Sequence, residues 1–346
     1  MYAILTENLT RTYESRVLKN YYGSGKDTSF FYEVYKRLTG RRIVVKALDE
    51  VSIKVKEGEF VCILGPNGSG KTTLLKVLAA LLPPTSGTAR VMGFDVVKER
   101  KEVIKRVNYI TSVLAAGAWA QVKLSVRKNL EFMSKLFAIP LEKVLEVAKD
   151  LGLEEFLDRP FGTLSTGQQA RVGLALGLAK NTSVYLLDEP TLGLSPEASK
   201  AARKILIDVN REEKVTIVYA TQHPSYAEEM ANRVIILNKG KVLVDGSPKN
   251  LIRNAEVRES IELEVYNLFG NVGELLDGII HEYIDTKALD SLSGRYYIRI
   301  GVKDSDEVLP KLVEKLVARG VKIRKFRVWR ANLEDAFLYY VKKSRE

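Results

Sequence analysis

The sequence predicts an α/β core with a helical insertion, followed by a small α+β domain. Three observations predict it. Gly65-Pro66-Asn67-Gly68-Ser69-Gly70-Lys71-Thr72 lies between an apolar run, Phe60–Leu64, and a helix-period stretch that opens with Thr73-Leu74-Leu75. A second apolar run, Val184-Tyr185-Leu186-Leu187, ends in Asp188-Glu189-Pro190. From about residue 257 short strands alternate with helices in an order that suits a ferredoxin-like domain.

Composition sets the outer limits. A chain of 346 residues can hold a full core and two domains, and 46% hydrophobic with 28% charged residues is ordinary for a globular protein. No window of about 18 residues is uninterrupted and apolar, so no transmembrane helix is expected. The start, Met1-Tyr2-Ala3-Ile4-Leu5-Thr6-Glu7, has no basic n-region and no long apolar stretch, so no secretory signal is expected. The single cysteine, Cys62, excludes an intramolecular disulfide and reads as a small core residue. The net charge of +11 suits nucleic acid, an anionic membrane surface or a solvated lysine-rich exterior, and alone does not choose among them.

In chain order, residues 3–13 hold a strand. Residues 14–42 form an inserted segment that interleaves aromatic residues, such as Tyr21-Tyr22 and Phe30-Phe31-Tyr32, with basic ones. That pattern suits a membrane interface, a nucleobase stack, or a helix packing its aromatics on the main domain. Residues 46–55, alternating from Val51 onward, suit a strand, and Lys56-Glu57-Gly58-Glu59 turns the chain into the strand Phe60–Leu64. Pro83-Pro84-Thr85-Ser86-Gly87 breaks the chain before a strand at 88–92. Apolar stripes over 125–158 predict helices, giving a helical subdomain at about 112–160. Ser165 followed by Gln168 has capping-box spacing, so a buried helix begins there. Residues 215–220 form a strand, and 233–244 a hairpin across Asn238-Lys239-Gly240. The last domain reads as strand 261–266, helix 272–279, strand at about 280–284, strand 296–302, helix 306–319, strand 321–328 and helix 333–342. Its cluster Lys322, Arg324, Lys325, Arg327 and Arg330 reads as a solvated strand face. The domains are expected at 1–248 and 249–346.

The loop from Gly65 matches G-x-x-x-x-G-K-T. Strand, glycine loop and helix start place backbone N–H groups and a helix N-terminus around a phosphate. Lys71 should reach the β- and γ-phosphates, and the Thr72 hydroxyl should hold Mg²⁺. An apolar strand ending in two carboxylates is what a metal and a hydrolytic water need, with Asp188 on the metal and Glu189 polarising the water.

The glycine loop, Leu164-Ser165-Thr166-Gly167-Gln168 and Leu186-Leu187-Asp188-Glu189-Pro190, in that order and spacing, resemble the nucleotide-binding subunit of an ABC transporter, a P-loop ATPase with a RecA-like core. The second stretch looks like the family's signature motif, which has glycine where Thr166 stands. Ala331-Asn332-Leu333-Glu334-Asp335-Ala336-Phe337-Leu338 looks like the terminal stretch of ATPase subunits that serve multidrug and antibiotic exporters of the ABC-2 type. The insertion after Tyr13 is similar to one branch of that group.

The resemblance implies ATP and Mg²⁺ as cofactors and a head-to-tail dimer, homodimeric or heterodimeric. Nucleotide would lie on Gly65, Pro66, Asn67, Gly68, Ser69, Gly70, Lys71, Thr72 and Thr73, with Tyr13 stacked on adenine. Ser165, Thr166, Gly167 and Gln168 of the other subunit would close the site. Catalysis would rest on Glu189, Lys71 and either Gln222 or His223. The membrane permease would be a separate chain, the ATPase peripheral on the cytoplasmic face of the cell membrane, and no nucleic acid is expected. The apolar loop 113–120, around Trp119, follows the position where family members meet the membrane subunit.

Three positions depart from the family. Its Q-loop glutamine aligns with Ser112, and the nearest glutamine is Gln121. Its aspartate after Gly193-Leu194 is Ser195. Its switch histidine falls on Gln222, with His223 one step late. These departures bear on coupling and turnover, and they keep a weakly hydrolysing partner of a heterodimer as an alternative. A soluble ABC ATPase acting on ribosomes or DNA is a further alternative. Against it stand the single cassette and the lack of a sustained heptad run.

Overall fold

The computed structural model describes residues 1–14, 44–111, 120–268, 281–290 and 293–344. Most of the inserted aromatic and basic segment, Ser112, the loop around Trp119 and the expected helix at 272–279 lie outside them. The chain divides into two compact units, Met1–Gln222 with Leu237–Val242, and His223–Ile236 with Leu243–Glu346.

In the first unit β1 (Tyr2–Glu14) is the hub of an antiparallel sheet. It pairs with β2 (Val44–Val51), β3 (Lys54–Lys56) and β5 (Ser86–Val91), and β5 carries β6 (Phe94–Asp95). The strand expected over 46–55 is interrupted at Ser52-Ile53, between β2 and β3. The cause is local. The buried Thr6 hydroxyl donates to Val51 O (3.0 Å) and accepts from Ile53 N (2.9 Å), while Ser52 Oγ accepts from Asn8 N (2.9 Å). Side chains thus satisfy backbone groups that an unbroken ladder would pair.

The second sheet holds β4 (Phe60–Leu64), β7 (Val107–Thr111), β8 (Val184–Asp188) and β9 (Thr216–Thr221), parallel and in the order β4-β9-β8-β7. Every residue of β4, β8 and β9 is buried, as parallel strands covered on both faces require. Cys62 is fully buried, and burial pushes its thiol pKa well up. The register aligns the carboxyl ends: Leu64 pairs with Thr221, and Asp188 with both Ala220 and Thr111. Ligands of open α/β sheets bind at this edge.

Helices α1 (Lys71–Leu78) and α2 (Arg100–Arg106) follow the first strands. The helical subdomain expected at about 112–160 contains α3 (Val126–Phe137) and α4 (Leu141–Asp150), and the helix expected after Ser165 follows as α5 (Thr166–Leu178). Ser125 caps α3 by accepting from Lys128 N. Its buried side, Val126, Leu130 and Met133, faces the core, whereas Phe132, Leu136 and Phe137 stand exposed. Glycine in α5 permits close approach to the sheet. A Cβ on Gly177 would lie 2.8 Å from Ile110 Cδ1, and the Gly177 carbonyl accepts from Asn108 Nδ2 at 2.6 Å. After β8, α6 (Pro196–Glu213) leads back to β9.

The second unit contains α7 (Pro224–Met230), most of the hairpin β10 (Arg233–Asn238) and β11 (Lys241–Gly246), and α8 (Pro248–Asn254). Its sheet comprises β12 (Glu259–Tyr266), β13 (Tyr283–Asp290), β14 (Arg295–Val302) and β15 (Lys322–Arg330), antiparallel in the order β13-β14-β12-β15. That order fits the split arrangement expected from the sequence. The strand expected to end near residue 284 runs on to Asp290, zipped against β14. α9 (Ser305–Ala318) packs Val308, Leu312 and Leu316 on Ile261, Leu263, Ile298 and Ile300. α10 (Leu333–Lys343) sets Ala336 and Tyr339 against Tyr283, Ala255 and Val257.

A buried polar network fastens α10. Asp335, 0% exposed, accepts from Arg299 Nε at 2.9 Å and from the Tyr283 hydroxyl. Arg299 also donates to Ser260 Oγ (3.2 Å) and to Glu334. Burial and the neighbouring Asp335 charge hold the Tyr283 hydroxyl pKa well above its usual value.

Candidate active site

The glycine loop bridges β4 and α1 at the carboxyl edge of the parallel sheet. Gly65 N donates to Thr221 O (3.3 Å), which ties the loop's entry to the end of β9. Gly70 precedes α1 with φ +108°, a conformation natural to glycine. A Cβ there would run into the carbonyl oxygen of Ala47, and one on Gly65 into that of Leu237. The α1 N-terminus has no side-chain cap and no acidic residue in its first turn. Its first amides are therefore free for an anion. Asn67, Gly68 and Thr72 are exposed, and Pro66, Gly70 and Thr73 half-buried. Ser69 is buried.

Lys71 is 6% exposed, and its ammonium donates to the carbonyls of Gly65 (2.7 Å) and Pro66 (3.1 Å). Burial lowers its pKa, and the charges of Glu189 and Asp188 oppose that shift. The two carboxylates thus lie in the electrostatic reach of the phosphate-loop lysine. Asp188 ends β8 and is 8% exposed, and its Oδ2 accepts from the Tyr109 hydroxyl at 3.3 Å. Burial and the Asp188 charge together push the Tyr109 pKa up.

Glu189 leaves the strand with φ +48°, a left-handed conformation that costs a non-glycine residue about 1–2 kcal/mol. Its N–H still bonds Ala220 O at 3.1 Å. Its Oε1 accepts from the backbone N–H of Gln222 (2.8 Å) and its Oε2 from the Thr221 hydroxyl (3.3 Å). The strained turn and the two donors fix the carboxylate. The sequence alone does not single out Thr221 or Tyr109. Their roles come from strands that are neighbours in space but about 30 and 80 residues away in sequence.

Ser165 and Thr166 are exposed at the start of α5. Ser165 Oγ accepts from Gln168 N (3.3 Å) and Gln168 Oε1 from Ser165 N (2.9 Å), forming the expected capping box. Gly167 approaches the turn after β8: a Cβ on it would lie 3.3 Å from Gly193 O. In that turn Ser195 caps α6, accepting from Ala198 N (3.4 Å) and from Arg171 Nη2 (3.4 Å).

Tyr13 pairs with Val45 near the start of β2, the strand whose Ala47 carbonyl abuts Gly70. The Arg11 guanidinium lies 5.0 Å from the Tyr13 ring centre. Gln121 is exposed, its backbone clasped by Asn129 through bonds of 2.8 and 3.0 Å. The exposed His223 packs its ring on Tyr226 at 5.0 Å.

Comparison with known proteins agrees with this geometry. Residues 48–192 match the ABC transporter family. The ABC transporter ATP-binding protein NatA of Bacillus subtilis is 31% identical over 221 residues, which cover 62% of this chain and 88% of NatA. The bacitracin transport ATP-binding protein BcrA of Bacillus licheniformis is 29% identical over 298 residues, or 85% of this chain and 92% of BcrA. A dimeric ATP-binding cassette in a post-hydrolysis state, bound to ADP and Pi, superimposes with a TM-score of 0.56 at 26% identity, covering 70% of this chain and 98% of the cassette. The chain therefore belongs to the ABC transporter ATP-binding proteins, and it binds and hydrolyses ATP to power transport.

Proposed function

We propose that this chain is the Mg²⁺-dependent ATPase subunit of an exporter, working as a head-to-tail dimer on permease subunits carried by separate chains. The observation that carries the catalytic reading is Glu189, pinned by Thr221 and Gln222 within the electrostatic reach of Lys71. Lys71 grips the β- and γ-phosphates together with the loop amides. Glu189, already oriented, accepts the proton of the attacking water. Thr72 and Asp188 offer a hydroxyl and a carboxylate, the hard oxygen donors that Mg²⁺ takes alongside phosphate oxygens and water. A Mg²⁺ ion held by Thr72 and Asp188 would supply positive charge to offset that of the phosphates. Tyr13 stacks on adenine, and its place on β1 beside the strand that abuts Gly70 supports this.

Ser165, Thr166, Gly167 and Gln168 act on the partner's nucleotide. Their exposed helix start, already boxed, presents a positive dipole end to a γ-phosphate. Phe132, Leu136 and Phe137 form an apolar surface on α3 that suits the permease. Among the described residues no helix is long and apolar enough to cross a membrane. We place the chain on the cytoplasmic face of the cell membrane. The similarity to the bacitracin transport protein supports export. The domain reading is a cassette over 1–248 and an accessory domain over 249–346.

Two substitutions test the catalytic reading. Lys71→Ala abolishes productive ATP binding, whereas Glu189→Gln keeps binding and stops turnover. Equal hydrolysis by wild type and Glu189→Gln would remove Glu189 from catalysis. Purification from membranes tests the partner: a copurifying permease supports transport, and ribosomal RNA or DNA in its place overturns it.

A further inference from the structure

We propose that the second unit carries a binding site for a phosphorylated anion, in a cavity among α8, the start of β12 and the ends of β14 and β15. The cavity measures about 640 Å³, within the range of small-molecule sites. Four cations line it, Lys249, Arg253, Arg258 and Arg330. None of the four makes a salt bridge or side-chain hydrogen bond among the described residues. With Lys303 the lining holds five cations against three carboxylates, Glu259, Asp304 and Asp306, and an anion offsets the excess positive charge.

The carboxylates nearby are largely committed elsewhere. Glu259 accepts from Ser305 N at 2.8 Å. Asp304 caps α9, accepting from the N–H groups of Asp306 and Glu307. Asp306 is the remaining acid of the lining. A fifth cation, Lys303, already pairs with Glu256 (3.0 Å) and Glu282 (3.4 Å).

The site is built on fixed backbone. Arg258 N donates to Val302 O and Arg258 O accepts from Ala331 N, both at 2.9 Å. Arg330 pairs in register with Glu259, one residue along. Two guanidinium groups therefore leave adjacent, clamped strand ends, and a third comes from the last turn of α8. Planar guanidinium forks match phosphate bidentately, and several of them call for a ligand with two or more negative charges. Ile252, Val257 and Ala331 add an apolar wall for the body that carries the phosphate. A free phosphate ester and a phospholipid headgroup share this chemistry.

The test uses the full chain bearing Lys71→Ala, which weakens the competing phosphate loop. Inorganic pyrophosphate is one probe. Vesicles of phosphatidic acid in phosphatidylcholine are the other, with pure phosphatidylcholine vesicles as control. Binding is read as slowed amide hydrogen exchange over residues 249–258 and 330–331. Exchange slowed by pyrophosphate assigns a free phosphate ester, and exchange slowed only by acidic vesicles assigns a headgroup. Arg258→Ala with Arg330→Ala should raise the dissociation constant at least about tenfold, as loss of charge-assisted bidentate bonds implies. Should that pair fail to fold, Arg258→Lys with Arg330→Lys keeps the charge, loses the forks and should weaken binding several-fold. No change in exchange with either probe, or undiminished binding in a folded double variant, overturns the proposal.

Discussion

The carboxylate of Glu189 accepts a hydrogen bond from the backbone N–H of Gln222 at 2.8 Å. The bond joins the end of β8 to the end of β9, and it uses the Gln222 peptide, whatever the side chain there. The Thr221 hydroxyl adds a second anchor. Thr221 is thus a positioning residue, and Thr221→Val removes its donor at nearly constant volume. The expected result is a kcat lowered about tenfold, the scale of one lost hydrogen bond to a charged group, with KM for ATP nearly unchanged. Thr221→Ser should restore the rate. A parallel loss of kcat and stability, without rescue by serine, would mark a packing role.

Gly70 sits at φ +108° with the Ala47 carbonyl where a Cβ would go. Gly70→Ala meets both a backbone penalty of about 1–3 kcal/mol and a collision with backbone that cannot turn aside. The loop should open, and ATP affinity should fall at least tenfold. Gly93→Ala is the control: φ is +82°, but no atom lies within 4 Å of the added Cβ. It should lower stability slightly and leave ATP binding intact. Equal nucleotide affinity in the two variants would remove the steric argument.

In the second unit, Asp335→Ala strips the buried Arg299 of its fully buried partner. Breaking a buried pair costs about 3–5 kcal/mol. The loss should appear as a lower denaturation midpoint of the unit that holds α10, with little change in ATP affinity. A midpoint within experimental error of wild type would show that Glu334 and Glu262, whose Oε1 lies 3.6 Å from Arg299 Nη1, suffice for Arg299.

The phosphate loop, the capped helix at Ser165 and the carboxylates at the end of β8 were legible because each is a local pattern with a local cause. Ser165 and Gln168 box each other within one turn, and no distant residue is needed. The clamp on Glu189 was not legible. It depends on β9 lying beside β8, and nothing in Thr221 or Gln222 announces a carboxylate 32 residues upstream. The break at Ser52-Ile53 was missed for the same reason, since Thr6 and Asn8 on another strand cause it. The Arg299–Asp335 pair left a fainter signal, an arginine set between Ile298 and Ile300 in β14 and a capping box opened by Asn332.

The departures from the family pattern give the last prediction. Gln222 can donate an amide hydrogen bond to a γ-phosphate, but it cannot carry positive charge as histidine can. Ser195 lacks the negative charge that relatives use across the dimer, and its hydroxyl is spent on capping α6 and on Arg171. Charge stabilisation is usually the dominant contribution to phosphoryl transfer. The isolated subunit should therefore hydrolyse ATP slowly, and Gln222→His together with Ser195→Asp should raise its rate. Neither change should disturb what the residue already does. The clamp on Glu189 comes from the peptide at 222, and aspartate caps a helix as well as serine does. Steady-state phosphate release from the folded variants measures the outcome. If His223 already supplies the charge, His223→Ala stops turnover and Gln222→Ala does little. A fast wild-type subunit in which neither substitution alters the rate would sink both versions, and would leave Glu189, its two anchors and the phosphate loop as the whole of the hydrolytic machinery.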